Sequence, residues 1–178
     1  MRLLRVLVLI PACVKAAGCP ARDPRTGVRR LNPLCLGPRC PLDGQDCGVR
    51  AVQREIVSLR ETGVCVAFRI IAEYDDVLPT VSKLKPDLVI GMACDRYAER
   101  GARDLLGLVA AIPIPLGPGC KDSEIQRVYS GDLQKKLSVN REALDKLREE
   151  ICRITSPRIG CRQGRESAVE ALMSSSYP

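Results

Sequence analysis

The stretch from Leu3 to Ile10 constrains the fold more than any other part of this chain. It is a near-continuous apolar run rich in Val and Leu, interrupted only by Arg5 and ended by Pro11. A strand with one wet face alternates apolar and polar residues, whereas a continuous run belongs to a strand buried on both faces of a parallel sheet. Parallel strands need long crossover connections, so helices must follow.

The downstream pattern supplies them. From Val49, the spacing of Val52, Ile56, Val57 and Leu59, with Arg50, Gln53, Arg54 and Glu55 opposite, predicts an amphipathic helix stopped at Gly63. Val64 to Ile71 is a second strand. Tyr74, Val77, Leu78, Val81 and Leu84 keep a helical period through Lys85, and Pro86-Asp87 marks the turn into a third strand, Leu88 to Ala93. A helix from Tyr97 to Leu108 follows, with Asp95 as its expected N-cap. Val109 to Leu116 is a fourth, short strand, placed late in the sheet or at its edge by Pro113 and Pro115. The last helix spans Asn140 to Arg153, with Ala143, Leu144, Leu147 and Ile151 on its apolar face.

Strands alternating with helices predict an α/β three-layer sandwich: a mostly parallel central sheet of about four strands, with a cysteine-rich loop after the first strand. A chain of 178 residues, 46% of them hydrophobic, is expected to form one domain over 1–153. Residues 154–178, where the pattern fades, are expected to be a partly disordered tail.

Ten cysteines and no histidine restrict the chemistry. Without imidazole there is no Ser-His or Cys-His dyad, and metal binding falls to thiolate sulfur with at most help from carboxylates. No Walker loop occurs, and Gly117-Pro118-Gly119 is too short and too proline-rich for a dinucleotide fingerprint. Whether the chain is an enzyme is left open.

The cysteines are not evenly placed. Cys13, Cys94 and Cys120 each follow an apolar run, and ligand sites of open parallel sheets lie beyond the carboxyl ends of their strands. If the first, third and fourth strands are neighbours, these three thiols share one rim. Cys19, Cys35, Cys40 and Cys47 crowd the glycine- and proline-rich segment that leaves the same rim. Several thiolates on such a backbone suit an iron–sulfur cluster, because amides can approach the sulfurs. The spacings Cys13-x5-Cys19, Cys35-x4-Cys40 and Cys40-x6-Cys47 match no standard ferredoxin or zinc-ribbon pattern. An iron–sulfur cluster of the 4Fe-4S type is the favoured cofactor, and zinc in a four-thiolate site, stabilising a binding module without catalysis, is the alternative. Asp95, Arg96, Lys121 and Asp122 are the expected charge partners near the thiols. Cys65 is expected to be a small buried residue of the second strand, and Cys152 and Cys161 to be structural or incidental.

The formal charge of +7 would suit an anionic partner, but the basic residues are interleaved with acidic ones. Aromatic residues make up 3% with no Trp, so nucleic-acid stacking platforms are poorly supplied and nucleic acid is not expected as a partner. Arg22, Arg25, Arg29 and Arg30, lying between cysteines, can offset thiolate charge as readily as they can hold a phosphate. The expected partner is an unidentified redox or sulfur-transfer protein. Met1 to Ile10 imitates a signal peptide and Ala16-Ala17-Gly18-Cys19 a lipoprotein cleavage site, yet Pro11 and Lys15 make a buried first strand the more economical reading. No segment approaches the roughly 20 apolar residues of a membrane span. Strand and helix patterns sufficient for an ordinary core favour the reducing cytoplasm over a secreted disulfide framework.

Three segments together resemble a known family: Leu9-Ile10-Pro11-Ala12-Cys13 with the cysteines after it, Pro86-Asp87-Leu88-Val89-Ile90-Gly91-Met92-Ala93-Cys94-Asp95-Arg96, and Pro115-Leu116-Gly117-Pro118-Gly119-Cys120-Lys121-Asp122-Ser123. Over about residues 5 to 126 the chain is similar to the prokaryotic cysteine-rich family called domain of unknown function one-sixteen. Its members typically show a Pro-His-Cys motif after the first strand, a compact cysteine triplet, a Val-Ala-Cys-Glu-Arg motif and a Gly-Pro-Cys motif. The resemblance implies an iron–sulfur cluster or another metal, held by Cys13, Cys19, Cys94 and Cys120 together with Cys35, Cys40 and Cys47. It implies no particular reaction. Here Ala12 stands in place of the histidine, Asp95 in place of the glutamate, Gly119 interrupts the Gly-Pro-Cys order, and the triplet is stretched.

Overall fold

A computed structural model describes residues 4–16, 19–21, 33–41, 47–59, 64–119 and 137–155. Four parallel strands form the sheet: β1 (Arg5–Pro11), β2 (Cys65–Ile71), β3 (Leu88–Ala93) and β4 (Ala110–Pro115), in the order β2-β1-β3-β4. The run that opened the sequence is the centre of the molecule. Val6 to Ile10 are all buried, and β1 is hydrogen-bonded to β2 on one side and to β3 on the other. A strand with no wet face has no use for polar alternation, which is why it reads as continuous Val, Leu and Ile.

The helices cover both faces. α1 (Gly48–Leu59) and α4 (Arg141–Thr155) pack on one, where Val6, Val8, Ile10, Ile90, Met92 and Ile114 form the larger core with Val49, Val52, Ile56, Leu147 and Ile151. α2 (Val77–Leu84) and α3 (Asp95–Asp104) lie on the other, over Leu7, Leu9 and Val89. Arg148 clamps the two helices of the first layer, donating from Nε and Nη2 to the two carboxylate oxygens of Glu55 at 2.6 and 2.9 Å.

Several local expectations are corrected. Asp95 is not the cap of α3. Cys94 holds the N-cap position in extended conformation, and Asp95 is the first helical residue. α3 ends at Asp104 rather than Leu108, leaving Leu106 and Leu108 exposed on a turn. A 3-10 turn, Tyr74–Asp76, precedes α2, which stops at Lys85 in left-handed conformation. Val57 and Leu78 fall on the wet sides of their helices. α4 is capped by Asn140, whose side-chain oxygen accepts the Ala143 N–H at 2.9 Å, and it runs to Thr155, past the expected domain limit at 153. The rest of the expected tail lies outside the described residues.

β4 is the edge strand that its prolines require. The Leu116 N–H donates to the Ala93 carbonyl at 2.8 Å, so even-numbered donors of β4 face β3. Pro113 and Pro115, of the other parity, fall on the open side, where a missing N–H costs no ladder bond and blocks a further strand. Among the described residues no helix is long and apolar enough to cross a membrane.

Candidate functional site

In the order β2-β1-β3-β4 the chain leaves β1 toward one edge of the sheet and β3 toward the other. The crevice between such diverging connections is where open α/β sheets bind ligands. Cys13 and Cys94 stand on its two sides. Cys13 lies in a 3-10 turn, Ala12–Val14, directly after β1, and Cys94 directly after β3. Both line one cavity. β1, β3 and β4 are indeed neighbours, as the rim arrangement demanded.

The turn after β4 is tied to the same place. The Asp95 N–H donates to the Gly117 carbonyl, and the Gly117 N–H donates back to Asp95 Oδ1, both at 3.1 Å. This reciprocal pair presses the chain onto the start of α3. A Cβ on Gly119 would stand 2.5 Å from Cys94 Sγ and 2.8 Å from its Cβ, so only glycine passes here. Asp95, read from the sequence as a charge partner of the thiols, therefore clamps the turn that leads to Cys120. Cys120, Lys121 and Asp122 lie outside the described residues, as do Arg22, Arg25, Arg29 and Arg30. Arg96 is exposed, its guanidinium 5.9 Å from the centre of the Tyr97 ring.

Three of the four loop cysteines act electrostatically on a residue that the sequence did not mark as part of a site. Lys15 follows the Cys13 turn, its N–H bonded to the Ala12 carbonyl at 3.2 Å, and its side chain is only 1% exposed. Burial pushes the Lys15 ammonium below its ordinary pKa, while charge on Cys19, Cys35 and Cys47 works in the opposite direction. Burial likewise pushes the Cys19 thiol up; the Ala21 N–H and Lys15 oppose that, and Cys47 and Cys40 add to it. Thiols separated by as much as the span from Cys19 to Cys47 thus fall within electrostatic reach of one another. Cys35 Sγ accepts the Gly37 N–H at 3.3 Å and meets Gln53 Nε2 of α1 at 3.9 Å. Cys47 is buried just before α1, and its carbonyl accepts the Ala51 N–H. Cys47 and Cys94 belong to one apolar cluster, against which Cys13 and Cys35 pack.

The donors the described cysteines offer are sulfur, presented from turns and helix starts near the buried Lys15. Among the described residues, however, no three cysteines or carboxylates stand together as a ready-made metal site. None of the eight described cysteines is in a disulfide. Cys65 is a correction. It begins β2 at the opposite, amino-terminal rim and is exposed rather than buried. Cys152, on α4, is half-buried against the larger core, and Cys161 lies outside the described residues.

The cavity itself, of about 190 Å³, lies chiefly on the α2–α3 face of the sheet. Tyr74 and Tyr97 stand in its wall with ring centres 5.2 Å apart. The Tyr74 hydroxyl donates to Asp104 Oδ2 at 2.7 Å, and the Arg100 guanidinium sits 4.4 Å from the centre of its ring. Burial, with this hydrogen bond second, pushes the Tyr74 pKa up to about 12. Comparison with family models, with curated proteins and with solved structures finds no match to this chain.

Proposed function

We propose that this chain is a thiolate metal protein, binding an iron–sulfur cluster of the 4Fe-4S type and serving electron or sulfur transfer to a redox partner. On this reading Cys19, Cys35, Cys40 and Cys47 are the loop ligands, and Cys13, Cys94 and Cys120 the rim ligands from which the set is drawn. The motif resemblance to domain of unknown function one-sixteen supports the same ligands. A reducing compartment such as the cytoplasm is what the chemistry requires.

The observation that carries the reading is the convergence of thiols: Cys13 and Cys94 line one cavity beyond β1 and β3, and Cys47 and Cys94 are buried in one cluster against which Cys13 and Cys35 pack. Sulfur donors held close together are what a thiolate-bound cluster requires. The buried Lys15, in electrostatic reach of Cys19, Cys35 and Cys47, offers positive charge beside them. Metal binding would then draw the sulfurs together, since coordination and local ordering are coupled.

Anaerobic purification with a visible spectrum and iron, sulfide and zinc analysis tests it. A brown, sulfide-containing protein is expected; a colourless protein with stoichiometric zinc would replace the cluster by a zinc-stabilised binding module, and one with neither metal refutes both. Cys47→Ala and Cys94→Ala should each lower metal content, and Cys65→Ala should not. Lys15→Met should also weaken metal retention, because it removes positive charge from beside Cys19, Cys35 and Cys47.

A further inference from the structure

The two faces of the sheet differ at their carboxyl ends. On the α1–α4 side the strands present Ile90, Met92, Ile112 and Ile114; on the α2–α3 side the corresponding positions are Gly91, Ala93, Ala111 and Pro113. Register places Leu9, Gly91 and Pro113 side by side across β1, β3 and β4. The facing helix is as lean there, with Ala98, Gly101 and Ala102 in the cavity wall. Small residues on both walls leave the space open rather than letting the layers close.

Gly91 shows that the space is not a by-product of crowding elsewhere. A Cβ built on it meets no atom within 4 Å, and its backbone is not in the left-handed region, so nothing steric or conformational demands glycine in this central strand. Glycine inside a strand is otherwise unfavourable, and it marks a place where another group approaches the backbone. The cavity lies at the crevice between β1 and β3, where the fold has its natural ligand site.

The wall also indicates what fits. Among the described residues Glu73 is the one charged residue lining it, so an anion finds no partner and a neutral molecule leaves no buried charge unpaired. Tyr74 and Tyr97 offer ring surface. An apolar cavity of about 150 Å³ accepts benzene. At about 190 Å³ this one has room for a single substituted ring.

We propose that the cavity between β1, β3 and α3 is a binding site for a small, neutral, largely apolar ring compound, and that Gly91 forms its floor. Cys13 and Cys94 close the end nearest the strand termini, so the bound molecule lies against the two rim thiols. The site does not depend on the metal reading. Metal analysis and ligand titration of the same protein can succeed or fail separately.

The test is a titration with toluene, followed by the methyl resonances of Val89 and Ala111, which line the cavity, and by the tyrosine ring resonances. Saturable shifts at these methyl groups are expected in the full-length protein as purified. Gly91→Val should weaken the affinity by at least about tenfold, with unchanged metal content and an undiminished melting temperature, because the added side chain occupies the ligand's space. Ala102→Leu fills the same space from the helix wall and carries the test should Gly91→Val fail to fold. No saturable shift with the unaltered protein, or equal affinity in a folded variant of either kind, would overturn the proposal.

Discussion

The same substitution, glycine to alanine, should have opposite signs at two positions along this rim. At Gly119 the added methyl would stand 2.5 Å from Cys94 Sγ and 2.8 Å from Cys94 Cβ, where ordinary contact begins at 3.4 Å. Neither partner yields easily. Cys94 is 7% exposed, and its carbonyl accepts the N–H groups of Tyr97 and Ala98, both at 2.9 Å. The Gly117 turn is held by its reciprocal bonds to Asp95. Relief demands a backbone shift of nearly an ångström, and overpacking of this kind costs about 1–3 kcal/mol. At Gly91 the methyl enters open space, and removing a strand glycine gains about 0.5–1 kcal/mol through reduced freedom of the unfolded chain and a little burial. The two variants should therefore differ by about 1.5–4 kcal/mol. Urea unfolding of metal-free protein, followed by far-UV circular dichroism, measures this directly; metal-free conditions keep ligand linkage out of the comparison. Shifts of the same sign, or a loss of stability at Gly91→Ala, would refute the geometric argument and with it the open floor of the cavity.

Three further outcomes follow from individual contacts. Tyr74 holds its proton up to about pH 12 in the fold against an ordinary pKa of 10.0, so its contribution to stability is complete below pH 10 and is lost as pH rises toward 12; Tyr74→Phe should flatten that alkaline decline in urea midpoints, and an unchanged slope would contradict it. Glu55→Gln should cost about 1 kcal/mol, because it breaks a bidentate pair in which Glu55 is mostly buried although Arg148 is half exposed, and the loss should shrink in high salt. Replacing Pro113 and Pro115 by Val should expose donors on the open edge of β4 and produce self-association that rises with concentration in size-exclusion chromatography; a protein that stays at its original size would show the edge to be protected otherwise.

Legibility varied with how local the determining physics is. Strand positions were plain because burial on two faces leaves a continuous apolar signature, as in β1 and β3, whose expected and observed limits nearly coincide. Helix ends were less so. Leu106 and Leu108 continue an apolar rhythm past α3, but the helix has already ended and they point to water. Asp95 has the residue type of a cap, and only the turn after β4 explains why it is spent on Gly117 instead. Cys65 looked interior because it opens an apolar run, but β2 is an edge strand and Cys65 occupies its first, exposed position. Lys15 carried a faint signal: a lysine within an otherwise apolar stretch, two residues after a strand-end cysteine.

By itself, the sequence determined the parallel α/β architecture, the late or edge position of the proline-bearing strand and the exclusion of imidazole from any metal chemistry. Each follows from residue types acting over a few positions: two-sided burial, a missing N–H, an absent imidazole. Which groups meet was decided by tertiary structure alone. The strand order sets Cys13 beside Cys94 and opens the crevice between them. Tertiary packing brings Cys19, Cys35, Cys40 and Cys47, distant along the chain, into one electrostatic neighbourhood with Lys15. The cavity over Gly91 exists because small residues from two strands and a helix coincide in space, a coincidence that spacing along the chain does not encode.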